Sequence, residues 1–261
     1  MPLEIYRHSP QFAAQFWALL PQFGATPELT QWAERYAKFH AGRCYWDAQF
    51  VARDPIRRCL NIGGAPYLFE LALKKTIPKA DITSVDINPE RFPRAGSLIG
   101  IRRIAANIET DSLPAGETFD LVVFTEIFEH LRIDLLGTMV RVRNLLTDDG
   151  RLYLTTPNGQ GFSAWRKRLL RGRTGPSVVD EWSKLTRLGH MGHVREYSLT
   201  EIREVLTYCG FAIEDARFRV RRRTWPERDL IARIKPGLAD EILIVARKSS
   251  MPEPNPKNGP S

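Results

Sequence analysis

The sequence predicts an α/β fold: a doubly wound, mostly parallel, seven-stranded sheet with an antiparallel last strand. Three observations lead there. Short apolar runs alternate with helical patterns from residue 59 onward. The run Phe119-Asp120-Leu121-Val122-Val123-Phe124 is apolar almost throughout, as a strand covered on both faces requires. The last two strands are joined by an Arg/Pro-rich connection without a clear crossover helix, which makes the final pair an antiparallel, hairpin-like edge.

Residues 10–55 read as helical. Phe12, Phe16, Leu19 and Leu20 recur at helical spacing, and Trp32, Tyr36 and Phe39 resume it after a break at Pro27. The first strand, 59–62, runs into Gly63-Gly64. Pro66 then suits the first turn of a helix whose inner face is Leu68, Leu71 and Ala72. A second strand, 82–85, ends in Asp86, and a short third one covers 103–106. The fourth is the apolar run 119–124. It is followed by a helix at 135–146, a turn at Asp148-Asp149-Gly150 and a fifth strand at 151–155. A long basic segment, 158–196, precedes a helix at 200–209 that Gly210 stops. Strands at 211–218 and 241–246 complete the sheet. The expected organisation is a helical extension, 1–55, a main domain, 56–248, with an insertion at 158–196, and a tail, 249–261, too poor in apolar residues to fold.

Composition narrows the class. A chain of 261 residues, 43% hydrophobic and 26% charged, can bury one sizeable core. No stretch reaches the roughly eighteen consecutive apolar residues of a membrane span, and the acid and base near the start do not suit a secretory signal. Cys44, Cys59 and Cys209 are three, far apart and without a CxxC pair, which argues against a disulfide framework or a cysteine-built zinc site and fits a reduced cytoplasmic setting. Lys and Arg outnumber Asp and Glu by 38 to 30, a net charge of +8. Two basic runs stand out: Arg166-Lys167-Arg168 continuing to Arg171 and Arg173, and Arg217, Arg219, Arg221, Arg222, Arg223. They suit a solvated face, or attraction to a phosphorylated substrate, an acidic membrane surface or RNA. Trp165 and Trp182 flank the first run, where filling a small satellite core is the simpler role and stacking on a sugar or base the other.

In a doubly wound sheet, ligands bind outside the carboxyl ends of the strands. Three elements lie there: the loop Asn61-Ile62-Gly63-Gly64-Ala65-Pro66, Asp86, and Ala106-Asn107-Ile108-Glu109. Small residues let a ligand approach the backbone, a carboxylate can accept from both ribose hydroxyls of a nucleoside, and the third segment can frame an adenine ring. Singly each has a plainer role; Asp86, for one, could cap the turn Asn88-Pro89-Glu90. In this order and spacing, the segments Leu60-Asn61-Ile62-Gly63-Gly64, Val85-Asp86-Ile87, Phe119-Asp120-Leu121-Val122 and Leu152-Tyr153-Leu154-Thr155-Thr156-Pro157-Asn158 resemble class I S-adenosylmethionine-dependent methyltransferases of the type 11/12 kind, over about residues 58–247. The resemblance implies the Rossmann-like methyltransferase fold, S-adenosylmethionine as cofactor, and Asn61, Gly63, Gly64, Ala65, Asp86, Ile87, Asn107, Ile108 and Glu126 around it. Two departures stand out: the family usually has an acid where Asn61 stands, and a further glycine near Pro66 or Tyr67. A dinucleotide-binding dehydrogenase fits less well, because GGAPYL lacks the third glycine of its fingerprint.

The acceptor side begins at Thr125-Glu126-Ile127-Phe128-Glu129-His130-Leu131. Glu126 and Glu129 are one helical turn apart, beside His130. A later stretch, Gly189-His190-Met191-Gly192-His193-Val194-Arg195-Glu196-Tyr197, holds two more of the five histidines. The ExxEH stretch resembles that of methyltransferases acting on small lipophilic acceptors, sugars or RNA 3′ ends, some of which bind a divalent metal. Carried over, that implies Glu126, Glu129, His130 and His193 as ligands for Mg, Mn or Zn, lowering the pKa of a bound hydroxyl. The alternatives are metal-free general-base catalysis by His130 or His193 held by Glu129, and a purely structural turn bordering the cofactor pocket. Thr200 is the expected cap of the following helix, with Tyr197 and Leu199 packed beneath. Three functions remain open: O-methylation of a glycan, glycolipid precursor or small-metabolite hydroxyl, the acceptor anionic in some readings and the enzyme resting peripherally on a membrane; RNA 2′-O-methylation, less favoured without an RNA-binding module; and a non-catalytic cofactor-binding protein.

Overall fold

One edge of the sheet is a strand that the sequence pattern does not announce. In a computed structural model that describes residues 2–113, 116–172, 177–188, 192–221 and 226–249, β1 (Leu3–Tyr6) lies parallel to β7 (Phe211–Arg221). The remaining strands are β2 (Arg58–Ile62), β3 (Asp81–Asp86), β4 (Arg102–Ala105), β5 (Phe119–Thr125), β6 (Leu146–Pro157) and β8 (Glu241–Lys248). Their order is β1-β7-β8-β6-β5-β2-β3-β4, so the sheet has eight strands rather than the expected seven. Only β8 runs against its neighbours. The final pair is therefore not an edge: β8 is enclosed between β6 and β7, and β1 covers β7. β1 escaped notice because it is four residues long and its partner lies over two hundred residues away, where local periodicity carries no signal.

Alternate residues of the central strands enter two different cores, the mark of helices on both faces. Cys59, Leu121, Val123, Tyr153 and Leu243 pack on one side; Leu60, Val122, Phe124, Leu154 and Ile244 pack on the other. The first core receives α1 (Pro10–Leu19), α2 (Pro27–Val51), α3 (Leu68–Thr76) and α4 (Ala95–Ile99); the second receives α5 (Leu135–Asn144) and α8 (Leu199–Tyr208). Pro27 does not merely break a helix but starts one, with the Thr26 hydroxyl accepting from the Leu29 amide at 3.4 Å. Ala33, Ala37, Ala41, Cys44, Ala48 and Val51 form the stripe that lets this 25-residue helix lie close to the domain.

Other details depart from expectation. Pro66 precedes α3 rather than opening it; the Ala65–Pro66 peptide is cis, and Tyr67, left-handed at φ 68°, stands before Leu68. Asp148-Asp149-Gly150 is not a turn between elements but part of an irregularity within β6, whose Leu146 pairs with Phe119 before regular pairing resumes at Arg151. Ser198, not Thr200, caps α8, in a reciprocal capping box with Glu201. The basic segment supplies α6 (Phe162–Arg171) and α7 (Val178–Leu188), and the Arg/Pro-rich connection carries α9 (Pro226–Ile234). Among the described residues no helix is long and apolar enough to cross a membrane. His190, Arg173, Arg222, Arg223 and the tail beyond Ser249 lie outside the described residues.

Candidate active site

At the carboxyl end of β2 the chain turns in a space too small for side chains. Gly63 has φ 78°, which favours glycine, and its amide donates to Val85 O at 2.7 Å. A Cβ on Gly63 would sit 2.1 Å from Ile127 Cδ1, and one on Gly64 would sit 1.9 Å from Ser84 Oγ. Beneath the turn, the buried Glu70 of α3 accepts from Asn61 Nδ2 at 2.8 Å and from Ser84 Oγ at 2.6 Å. The acid that the family usually carries on the strand is thus supplied by the helix facing it. Burial pushes the Glu70 carboxyl up to about 7, against the hydrogen bonds from Ser84 and Asn61.

A cavity of about 380 Å³ opens above this turn. Gly63, Ala65, Asp86, Ile87, Asn107 and Ile108 line it, whereas Asn61 and Gly64 support the floor from below. Asp86 accepts from the Ala65 amide at 3.1 Å through one oxygen and from the Asn88 amide at 2.9 Å through the other. The carboxylate thus fixes the loop and the following turn, and it also lines the cavity. Asn107 is held by its neighbours, its Oδ1 accepting from the Glu109 amide at 3.0 Å. Glu109 Oε1 in turn accepts from the amides of Arg132 and Ile133 at 2.8 and 2.7 Å, joining the third segment to the chain after β5.

The other end of the cavity is charged. Glu126 has φ 57°, donates its amide to Thr155 O at 2.8 Å, and lies 3.6 Å from Arg43 Nη1. Glu129 is fully buried; its Oε2 accepts from Thr156 Oγ1 at 2.9 Å, while Oε1 has no hydrogen-bond partner among the described residues. That oxygen stands 3.8 Å from His130 Nε2 and 4.0 Å from His193 Nε2, and the two rings meet edge to face at 4.8 Å. His130 Nδ1 donates to Gly192 O at 2.7 Å, which leaves Nε2 as the ring's basic atom. Burial and the neighbouring Glu126 charge push the Glu129 carboxyl up to about 8. Burial also raises Glu126, although Arg43 opposes it. His193 is raised despite its burial, because Glu196 and Glu129 stabilise its charged form.

The expected four-ligand metal set is therefore only partly assembled. Glu129, His130 and His193 place ligand atoms within 4.8 Å of one another, but Glu126 stands outside that group, held by Arg43. The sequence reading also missed a whole wall. Trp32, Tyr36, His40 and Arg43 line the cavity from α2, with Trp32 tilted against Tyr36 at 5.5 Å and Tyr36 stacked on His40 at 4.3 Å. Their spacing of four, four and three residues was the available signal. Arg43 is buried; its Nη1 faces Glu126, and among the described residues Nε has no hydrogen-bond partner.

The first basic run has Arg166 and Arg168 exposed, as a solvated face requires, but the second differs from expectation. Arg219 is wholly buried and pairs with Asp47 and Glu241, while Arg217 pairs with Asp215 and Glu4. Their charges are therefore matched within the fold. Trp165 and Trp182 fill no satellite core; both are exposed.

Seven strands in this order, with an antiparallel penultimate position and a nucleoside-sized cleft at the parallel strand ends, define the class I S-adenosylmethionine-dependent methyltransferase fold. The β1 strand is an addition to it. The family model for a methyltransferase domain matches residues 20–216, and the chain belongs to that family and is an enzyme of this class. Solved structures agree in fold. The plantazolicin methyltransferase BpumL, in complex with S-adenosylhomocysteine (SAH), aligns over 92% of this chain and 98% of its own at 14% identity and TM-score 0.58. The Burkholderia thailandensis 1,6-didemethyltoxoflavin-N1-methyltransferase, with its substrate and SAH, aligns over 91% and 87% at 15% identity and TM-score 0.55. The N-methyltransferase NodS from Bradyrhizobium japonicum WM9, also with SAH, covers 92% and 99% at 16% identity and TM-score 0.51. A comparison with curated proteins finds no match.

Proposed function

We propose that the protein methylates a hydroxyl of a small-molecule or glycan acceptor, glycolipid precursors included, with S-adenosylmethionine as donor. The observation that carries this reading is the buried Glu129 Oε1 facing two imidazole Nε2 atoms across the cavity from Asp86. Bound S-adenosylmethionine supplies an already activated sulfonium methyl. The protein's share is then to hold, to orient and to take a proton. Asp86 accepts from the ribose hydroxyls, Ile87 and Ile108 flank the base, and the Gly63–Ala65 backbone lets the donor approach closely. The Arg43 guanidinium, which lines the cavity and whose Nε has no hydrogen-bond partner among the described residues, suits the carboxylate of the methionine moiety. His130 Nε2, oriented through the Gly192 carbonyl, receives the acceptor proton, and the Glu129 carboxylate 3.8 Å away stabilises the imidazolium that results. Residues 56–248 form the catalytic unit in this reading, with 158–196 on its acceptor side.

A second reading has one specific observation behind it: Glu129, His130 and His193 offer a three-ligand set that suits a divalent ion. Such an ion would lower the pKa of a bound hydroxyl and leave the histidines no role as bases.

Calorimetric titration with SAH, together with turnover on a panel of hydroxylated acceptors, separates these readings. Asp86→Ala is expected to weaken SAH at least about tenfold through lost charged hydrogen bonds. His130→Ala is expected to leave SAH affinity intact while lowering turnover by about a hundredfold, the usual reach of general-base catalysis. Full activity in His130→Ala would overturn the proton-acceptor assignment. Activity lost to a chelator and restored by Mg²⁺, Mn²⁺ or Zn²⁺ would replace it with the metal reading. No SAH binding in the wild type would remove both.

A further inference from the structure

Two helices of the acceptor-side segment turn their largest apolar side chains outward. On α6, Trp165 and Leu169 lie one turn apart and are exposed, and Leu170 beside them is 71% exposed. On α7, Val178 and Trp182 repeat that spacing, and Val179 is 74% exposed. Single exposed hydrophobes are ordinary, but six on two consecutive helices are not, and exposed apolar surface of this extent marks interaction sites. The same segment is charged. α6 carries Arg166, Lys167, Arg168 and Arg171 and no acid in its ten residues, and Arg166 and Arg168 are exposed.

We propose that α6 and α7 form a docking face for an anionic bilayer surface. Trp165, Leu169, Leu170, Val179 and Trp182 enter the boundary between headgroups and acyl chains, while Arg166 and Arg168 meet lipid phosphates. The composition selects this partner. Tryptophan with leucine and valine is what an interface between water and hydrocarbon accepts. An RNA backbone would use the arginines and leave the aliphatic side chains in water. A second copy of this chain is equally basic, so charge opposes self-association.

The face is tied to the active site. Glu181 of α7 accepts through Oε2 from the backbone amide of His193 at 2.7 Å, and α6 begins soon after β6 ends beside Glu129's partner Thr156. A protein resting on this face holds its acceptor end next to the bilayer. The acceptor class follows: an amphiphile anchored in the membrane, presenting its hydroxyl-bearing head. This second step rests on the methyltransferase reading; the docking itself does not.

The test uses the full chain with vesicles of phosphatidylcholine alone and of phosphatidylcholine mixed equally with phosphatidylglycerol. Sedimentation with the mixed vesicles and a blue shift of tryptophan emission are expected, with little of either on phosphatidylcholine alone. Leu169→Ser with Leu170→Ser is expected to weaken partitioning by about tenfold or more, from the apolar surface lost. Arg166→Glu with Arg168→Glu should do the same through charge. SAH titration of each variant, unchanged, shows that the fold survives. Failure to bind mixed vesicles, or binding that the variants leave unchanged, would overturn the proposal. So would a wild-type dimer that these substitutions dissociate. A wild type that binds vesicles but not SAH would instead remove the catalytic reading and leave the docking face standing.

Discussion

Glu70 is wholly buried beneath the glycine turn, with one oxygen accepting twice and the other without a hydrogen-bond partner among the described residues. Its carboxyl moves from an ordinary 4.5 to about 7 on folding. Between those values the folded protein keeps a proton that the unfolded chain has released. The contribution to stability is therefore complete below 4.5 and is lost as pH rises through about 7. Glu129, pushed to about 8, extends the decline in the same direction. The cofactor-free protein should lose stability from pH 5 to pH 8, on the order of 2 kcal/mol of it traceable to Glu70. Thermal melts across that range check this, and Glu70→Gln should flatten the slope. A slope unchanged in Glu70→Gln would place the titration elsewhere. None of this was legible from the sequence, where Glu70 looks like one more charge on a helix. Gly63, Asp86 and Ile108 were legible, because strand ends and small residues mark a ligand cleft without regard to partners.

At the scale of elements, the network around Arg219 fastens the N-terminal region to the sheet. Arg219 of β7 pairs with Asp47 of α2 and lies 2.8 Å from Glu241 of β8. Tyr153 of β6 donates to Asp47 at 2.6 Å, and Tyr6 of β1 donates to Glu241 at 2.8 Å. Arg219→Met would leave two buried carboxylates without their cation and should cost about 3–5 kcal/mol. Urea unfolding monitored by circular dichroism measures it. A midpoint shift of only a few tenths of the wild-type value would show that Asp47 and Glu241 relax to water instead. The alternation of cationic and other residues in 217–223 was visible in the sequence, but which cations turn inward was not. That depends on Asp47, which lies 172 residues away. Helices and buried strands were readable because their patterns are local; β1 and this network are not.

For the whole molecule, the charge of +8 is less available than its size suggests. Arg217 and Arg219 are committed inside the fold, and Arg103 donates to the carbonyls of Pro89, Phe92 and Pro93. An RNA substrate would need a basic track leading to the cavity, and α6 offers cations interleaved with exposed leucine and tryptophan instead. Single-stranded RNA is therefore expected to bind no more tightly than about 1 µM at physiological salt, the range of non-specific contacts. Fluorescence anisotropy across a salt series is the measurement. Tighter binding with a preference for one RNA end would revive the 2′-O-methylation reading. The fold class was open to sequence reasoning because motif order and strand alternation survive wide divergence. The acceptor was not, because a small-molecule pocket is shaped by side chains from α2, the β5 turn and the 192–196 loop, which no single stretch of sequence contains.

The exchange between Asn61 and Glu70 has a consequence for how such a chain can change. Restoring the family's usual acid by Asn61→Asp would set two carboxylates against each other in a dry site, at a distance now spanned by a 2.8 Å hydrogen bond. Asn61→Asp alone should be destabilising, and so should Glu70→Asn, which opens a gap beneath the turn. Made together, the two substitutions should recover much of what each loses, a coupling that a double-mutant cycle on urea midpoints would read directly. The two arrangements are thus separate peaks with a valley between them, and a chain on either one is held there by epistasis.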